Sequence, residues 1–198
     1  MRKELLGLRQ KLDDEITYGT VENAIDLASK GINISKVNSF LCEKEYFKGQ
    51  IEFLNENFVK AIKHFDKAIW YDPYDGASYN DRALCMVELG MIDKGFYYLN
   101  KGIEVEPDFA TIYHNKGWLL NKLGLHLEAI KYFKKTLRLN PSRAVTYENL
   151  ADAYKNINNY KEAYKNYLKA LKYLDVNCKS IRAQLIDQIN FLKLKLKL

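Results

Sequence analysis

The sequence predicts an all-α fold, an α-solenoid of stacked helix–turn–helix units, and three observations carry that reading. The three prolines, Pro73, Pro107 and Pro141, stand 34 residues apart. Small residues recur at the same interval in three columns: Gly49, Ala83, Gly117, Ala151; Ala61, Gly95, Ala129, Ala163; and Ala68, Gly102, Thr136, Ala170. Within a block, apolar residues recur at three and four, as in Leu120, Leu123 and then Ile130, Phe133, Leu137, which is helical periodicity.

Each mark has a structural meaning. Proline fixes φ near −65°, lacks a backbone N–H and costs about 3 kcal/mol inside a helix, so it bounds one. Gly90 and Gly124 break the middle of blocks two and three, where a first helix ends and the chain turns. Each block is therefore two antiparallel helices of roughly a dozen residues, on the helical spacing of its apolar positions. The small columns let paired helices approach, since a bulkier side chain would overpack the contact at a cost of about 1–3 kcal/mol. Large apolar residues recur in a column of their own, Phe65, Leu99, Phe133 and Tyr167. A lone hairpin cannot bury its apolar face, so the hairpins stack.

The repeat region runs from about Cys42 to Asp175, with blocks at 42–75, 76–109, 110–143 and 144–177. Residues 1–41 form an N-terminal helical region. Its segment 20–34 echoes a second helix at an offset of 37, so Leu5 to Ile16 reads as the helix before it, in a degenerate repeat. Residues 178–198 hold a capping helix, with Ile181, Leu185, Ile189, Leu192 and Leu196 spaced by four and three, and a basic tail. The final FLKLKLKL alternates with period two and reads as a frayed helix end, with self-association through it the lesser reading.

The net charge of +6 is confined to the C-terminal end: residues 161–198 hold nine Lys or Arg against three acids. Such an end suits a polyanion, an acidic partner or a solvated Lys-rich face, and the last is the plainer account. The N-terminus meets acidic residues before any long apolar stretch, unlike a secretory signal. No run approaches a membrane span. Cys42, Cys85 and Cys178 are odd in number and far apart, which suits free thiols in a reducing compartment and a cytoplasmic protein.

The blocks resemble tetratricopeptide repeats, 34-residue hairpins patterned W-x2-L-G-x2-Y, then A-x3-F, then P. Block three carries Tyr113, Lys116, Gly117, Leu120, Ala129, Phe133, Thr136 and Pro141; block four carries Tyr147, Leu150, Ala151, Tyr154, Ala163, Tyr167 and Ala170, with Asp175 in the proline's place. Blocks one and two match more sparsely, at Gly49, Ala61, Phe65, Ala68, Pro73 and at Tyr79, Ala83, Gly95, Leu99, Gly102, Pro107. The resemblance implies a right-handed α-solenoid and a groove lined by first helices, and it defines a scaffold rather than a chemistry.

No catalytic, cofactor or metal constellation accompanies the repeats. His64, His114 and His126 lack placed partner groups, and DPYDG at 72–76 lacks the ligand ladder and terminal Glu of a calcium loop. The chain reads as a non-enzymatic scaffold with no cofactor, holding an extended or helical peptide segment of another protein. On the resemblance, groove columns present Tyr46, Phe47, Gln50 and Phe53 in block one, and Asn80, Asp81, Leu84 and Val87 in block two. Blocks three and four present His114, Asn115, Trp118 and Asn121, then Glu148, Asn149, Asp152 and Asn156. Asn115 and Asn149 share a column where the family often uses asparagine on a peptide backbone, and an amide both donates and accepts. Trp118, one turn along, is a candidate anchor. The chain's general richness in Asn, and packing of Trp118 between neighbouring first helices, are the competing accounts.

The family's carboxylate clamp for chaperone tails would fall on Asn80, Leu84, Asn115, Val145 and Asn149. Only the middle asparagine fits, which argues against such a partner. Aromatic and basic residues show no interleaved patch, which argues against nucleic acid.

Overall fold

The computed structural model describes residues 2–197. Among them the regular structure is helical, in eleven helices: α1 Arg2–Tyr18, α2 Val21–Val37, α3 Leu41–Leu54, α4 Phe58–Tyr71, α5 Gly76–Glu88, α6 Ile92–Val105, α7 Ala110–Lys122, α8 His126–Leu139, α9 Ala144–Asn156, α10 Tyr160–Tyr173 and α11 Lys179–Leu196. The helices form two compact units that divide between Pro107 and Asp108. In the first unit α1 packs on α2, α3 on α4 and α5 on α6, with α2 against α3, α4 against α5, and α3 beside α5. The second repeats the plan: α7 on α8, α9 on α10, α8 against α9, α7 beside α9, and α11 closing against α10.

The turns inside hairpins share one conformation. A residue in the left-handed region stands at each 34-residue step: Glu56 (φ 60°), Gly90 (75°), Gly124 (79°) and Asn158 (59°). The residue after it donates its N–H back five positions, from Asn57 to Glu52, Met91 to Met86, Leu125 to Leu120 and Asn159 to Tyr154, at 2.8–2.9 Å. This closes the open carbonyls of the first helix as a Schellman motif does. Glycine adopts that φ without Cβ strain; the other two turns reach it with Glu and Asn.

Between hairpins, side chains supply what proline presets. Asp72 accepts from the Tyr74 N–H at 3.1 Å and Asn140 from the Ser142 N–H at 3.3 Å. In the last block Asp175, standing in the proline's place, accepts from the Asn177 N–H at 2.8 Å, an Asx turn that replaces the fixed φ.

The core follows the columns. Phe65, Leu99, Phe133 and Tyr167 are fully or almost fully buried, as are Ala61, Ala83, Ala129 and Ala151. Burying such a Leu or Phe side chain contributes about 1.5–3 kcal/mol. Helix spacing explains the choice of small residue. A Cβ on Gly49 would meet the Phe65 ring at 2.6 Å, and one on Gly117 the Phe133 ring at 2.9 Å. Alanine is tolerated where the facing residue is Leu99 or Tyr167.

At the end of the chain, Leu185, Ile189 and Leu192 are buried against the last hairpin, and Arg182 Nη1 donates to the carbonyls of Leu171 (3.0 Å) and Leu174 (2.9 Å). One of the C-terminal cations thus caps α10. The tail is not frayed within the described residues: the helix continues to Leu196, because Leu192 anchors its final turn. Leu194 is exposed, and Leu198, also part of the alternating tail, lies outside the described residues.

Candidate functional site

In the first unit the faces of α1, α3 and α5 meet in a polar network. Arg9 of α1 donates from Nη1 and Nη2 to the two carboxylate oxygens of Asp75 (2.7 and 3.2 Å) and from Nε to Glu43 Oε2 (2.8 Å). Its guanidinium lies 3.7 Å over the Tyr46 ring. Burial by itself would raise the Asp75 carboxyl, but Arg9 outweighs burial and holds it below the usual range. Cys42 lies beside the same carboxylate, and its thiol is pushed up to about 12 by burial and by Asp75. Next to this pair, Asp81 of α5 accepts from Gln50, from Asn80 Nδ2 (2.7 Å) and from Tyr46. Burial pushes its carboxyl up to about 7, with Asp13 and Asp75 adding to the effect.

The repeat frame puts Tyr46, Phe47, Gln50 and Asn80 on exposed groove columns, but all four are buried. The reason is an additional first helix: α1 sets Arg9 across α3 to α5, and Phe47 fills the space above Gly31 of α2. These side chains build the wall of the unit. Sequence reasoning missed Arg9 and Asp75, and placed Asp81 on an exposed groove column rather than in this network. The signal was the offset of 37, which puts Arg9 in the column of Tyr46, Asn80 and His114.

In the second unit α7 and α9 set the candidate residues on neighbouring helices. His114 is buried, and burial with the charge of Arg143 lowers its imidazole to about 3. Asn149 Nδ2 lies 3.4 Å from its Nε2 and Thr146 Oγ1 2.9 Å from its Nδ1. An amide N–H donates, so Nε2 accepts and the ring proton sits on Nδ1, facing Thr146. His114 is therefore a clasp between α7 and α9 that orients the Asn149 amide.

Asn115 and Asn149 are half-buried, as are Trp118 and Asp152. The Lys122 ammonium lies 4.9 Å over the Trp118 ring. Asp152 accepts from the Tyr167 hydroxyl and lies 3.5 Å from Lys155 Nζ. Asn121 is drawn away from the group: its Oδ1 accepts from His126 Nδ1 at 2.6 Å and braces the turn between α7 and α8. Among the described residues, no cluster of three His, Cys, Asp or Glu side chains could hold a metal ion, and no helix is long and apolar enough to cross a membrane.

Folding also interleaves basic and aromatic side chains that the sequence keeps apart. Lys134 Nζ lies 5.6 Å over the Tyr154 ring and Lys169 Nζ 5.4 Å over the Tyr147 ring. The expectation that no such patch exists is corrected: these partners are 20 and 22 residues apart in sequence and meet only through packing of α8, α9 and α10.

A family model for the tetratricopeptide repeat matches residues 110–143 and 144–173. Those two stretches are similar to tetratricopeptide repeats. A thermophilic tetratricopeptide-repeat protein of Thermus thermophilus shares the chain's fold with a TM-score of 0.72 at 18% identity, over 92% of this chain and 98% of that one. Among curated relatives, an Hsp70-Hsp90 organizing protein of Triticum aestivum is 36% identical over 55 residues, and Hsp70-Hsp90 organizing protein 3 of Arabidopsis thaliana is 31% identical over 80 residues. These matches cover 28% and 35% of this chain but 10% and 14% of those proteins, so the likeness is one of repeats, not of whole molecules. The match by family model falls on the second unit, which carries Asn115, Trp118, Asn149 and Asp152.

Proposed function

We propose that this protein is a non-catalytic interaction scaffold that holds an extended or helical peptide segment of another protein on the first-helix face of α7 and α9. The observation that carries the reading is the pairing of Asn149 with His114. A buried, neutral imidazole fixes one side of the amide, and the oxygen of a pre-oriented amide is a good partner for a peptide N–H, because less side-chain freedom is lost on binding. Asn115 one repeat earlier and the half-buried Trp118 ring support an anchor beside it. The corresponding face of the first unit is closed by Arg9 and Asp81, so Tyr46, Gln50 and Asn80 serve this reading as supports rather than contacts.

The relatives are named for organizing Hsp70 and Hsp90, yet the clamp columns here read Asn80, Leu84, Asn115, Val145 and Asn149. That favours a partner segment without the acidic chaperone tail's terminal carboxylates. The free thiols favour a reducing compartment, the cytoplasm.

The test is affinity capture from the native source with the full chain and with the triple variant Asn115→Ala, Trp118→Ala, Asn149→Ala. Loss of specific partners at an unchanged melting temperature supports the reading. Recovery of the same partners by the triple variant overturns it.

A further inference from the structure

On the other side of α9 a cleft of about 590 Å³ runs between α8 and α10, within the size range of ligand pockets. Its floor is Tyr147, Leu150 and Tyr154 of α9 with Leu137 of α8. Its rim carries Lys134 and Arg138 from α8 and Lys165 and Lys169 from α10, against the single acid Glu162. Glu162 pairs with Lys165 at 2.6 Å. Lys134, Arg138 and Lys169 make no ion pair among the described residues.

The repeat supplies an internal control. Sixty-eight residues earlier, the same positions are occupied by Asp66 for Lys134, Arg82 for Leu150 and Tyr98 for Asn166. There the Arg82 guanidinium fills the space, bound to Asp66 at 2.5 Å and lying 3.7 Å over Tyr98. In the second unit the filling cation is replaced by an apolar floor, and the internal acid by a lysine. The space is open, and four cations of its rim face a single acid, Glu162.

We propose that this cleft binds an acidic peptide segment of a partner protein, with an apolar side chain on Leu137 and Leu150 and carboxylates against Lys134, Arg138 and Lys169. A nucleic acid fits less well. Base stacking needs an open ring face, whereas Tyr147 and Tyr154 are buried and their faces are covered by Lys169 and Lys134. The cleft is separate from the α7–α9 face and does not depend on what binds there.

The probe is a fluorescein-labelled twelve-residue peptide of repeated Asp-Glu-Leu, titrated against the full chain by anisotropy at low and physiological salt. A twelve-nucleotide oligouridylate and a peptide with Leu replaced by Ser serve as comparisons. The acidic peptide should bind, and both the serine peptide and the RNA should bind at least tenfold more weakly. The charge reversal K134E/K169E should weaken the acidic peptide at least tenfold. A second variant, K134D/L150R/N166Y, restores the filled arrangement of the first unit in a form the same scaffold already accommodates, and it should abolish binding with the helical signal retained. Failure of the peptide to bind at low salt overturns the proposal. So does equal affinity in both variants, or an RNA that binds as tightly as the peptide.

Discussion

Arg9 in α1 grips Asp75, the residue that precedes α5, through two N–H···O contacts of 2.7 and 3.2 Å across 66 residues of sequence. Both side chains are nearly enclosed, at 12% and 10% exposure. The pair ties the first helix of the chain to the third hairpin, over the ring of Tyr46. Removing one partner of a buried pair leaves the other charge without compensation, which costs about 3–5 kcal/mol. Arg9→Leu should therefore destabilise the first unit by that order in chemical denaturation. Arg9→Leu combined with Asp75→Asn should recover part of the loss, and a double variant as unstable as the single one would show that the charge pair is not the cause.

Gly117 and Phe133 make a second prediction. A Cβ on Gly117 would stand 2.9 Å from the Phe133 ring and 3.3 Å from the Ala129 carbonyl. Gly117→Ala should cost about 1–3 kcal/mol from overpacking, less whatever alanine returns in helix propensity. The neighbouring repeat accommodates alanine at this position opposite Leu99. Phe133→Leu in the Gly117→Ala background should accordingly be less damaging than Phe133→Leu alone, which opens a cavity. A thermal-melt double-mutant cycle with zero coupling would contradict the argument.

His114 gives a pH dependence with a definite sign. Its imidazole is held at about 3 in the folded chain by burial and by Arg143, below the ordinary value near 6.5 of the unfolded chain. The unfolded chain therefore binds the extra proton first. The contribution of this group is fully present above pH 6.5 and is lost progressively as pH falls from there toward 3. Stability at pH 5 should lie about 2 kcal/mol below that at pH 7 from this group. In His114→Gln, which keeps a polar side chain between Thr146 and Asn149, urea midpoints at pH 5 and pH 7 should draw closer together. An undiminished gap would assign the pH dependence elsewhere.

The legible part of the fold was the part that repeats locally. The hairpins, the glycine turns and the need for small residues at Gly49 and Gly117 follow from period and residue size, whereas the facing of Gly117 by Phe133 came from the packed helices. The candidate site was half legible. Asn115 and Asn149 could be read as one column with Trp118 a turn along, but not the clasp of His114 on Asn149, nor the engagement of Asn121 by His126. A column shows which residues are equivalent; it does not show which neighbour each will bind.

The sequence by itself determined the all-α repeat, its turns and its tight helix contacts, because a 34-residue period with small and large residues in register admits few other packings. The tertiary structure alone decided what is buried and what is open. Arg9 closes the polar face of the first unit, and Leu150 in place of Arg82 leaves the cleft of the second unfilled. Both outcomes depend on side chains 16 to 66 residues apart finding or lacking a partner of opposite charge, and only the packed helices bring those side chains together.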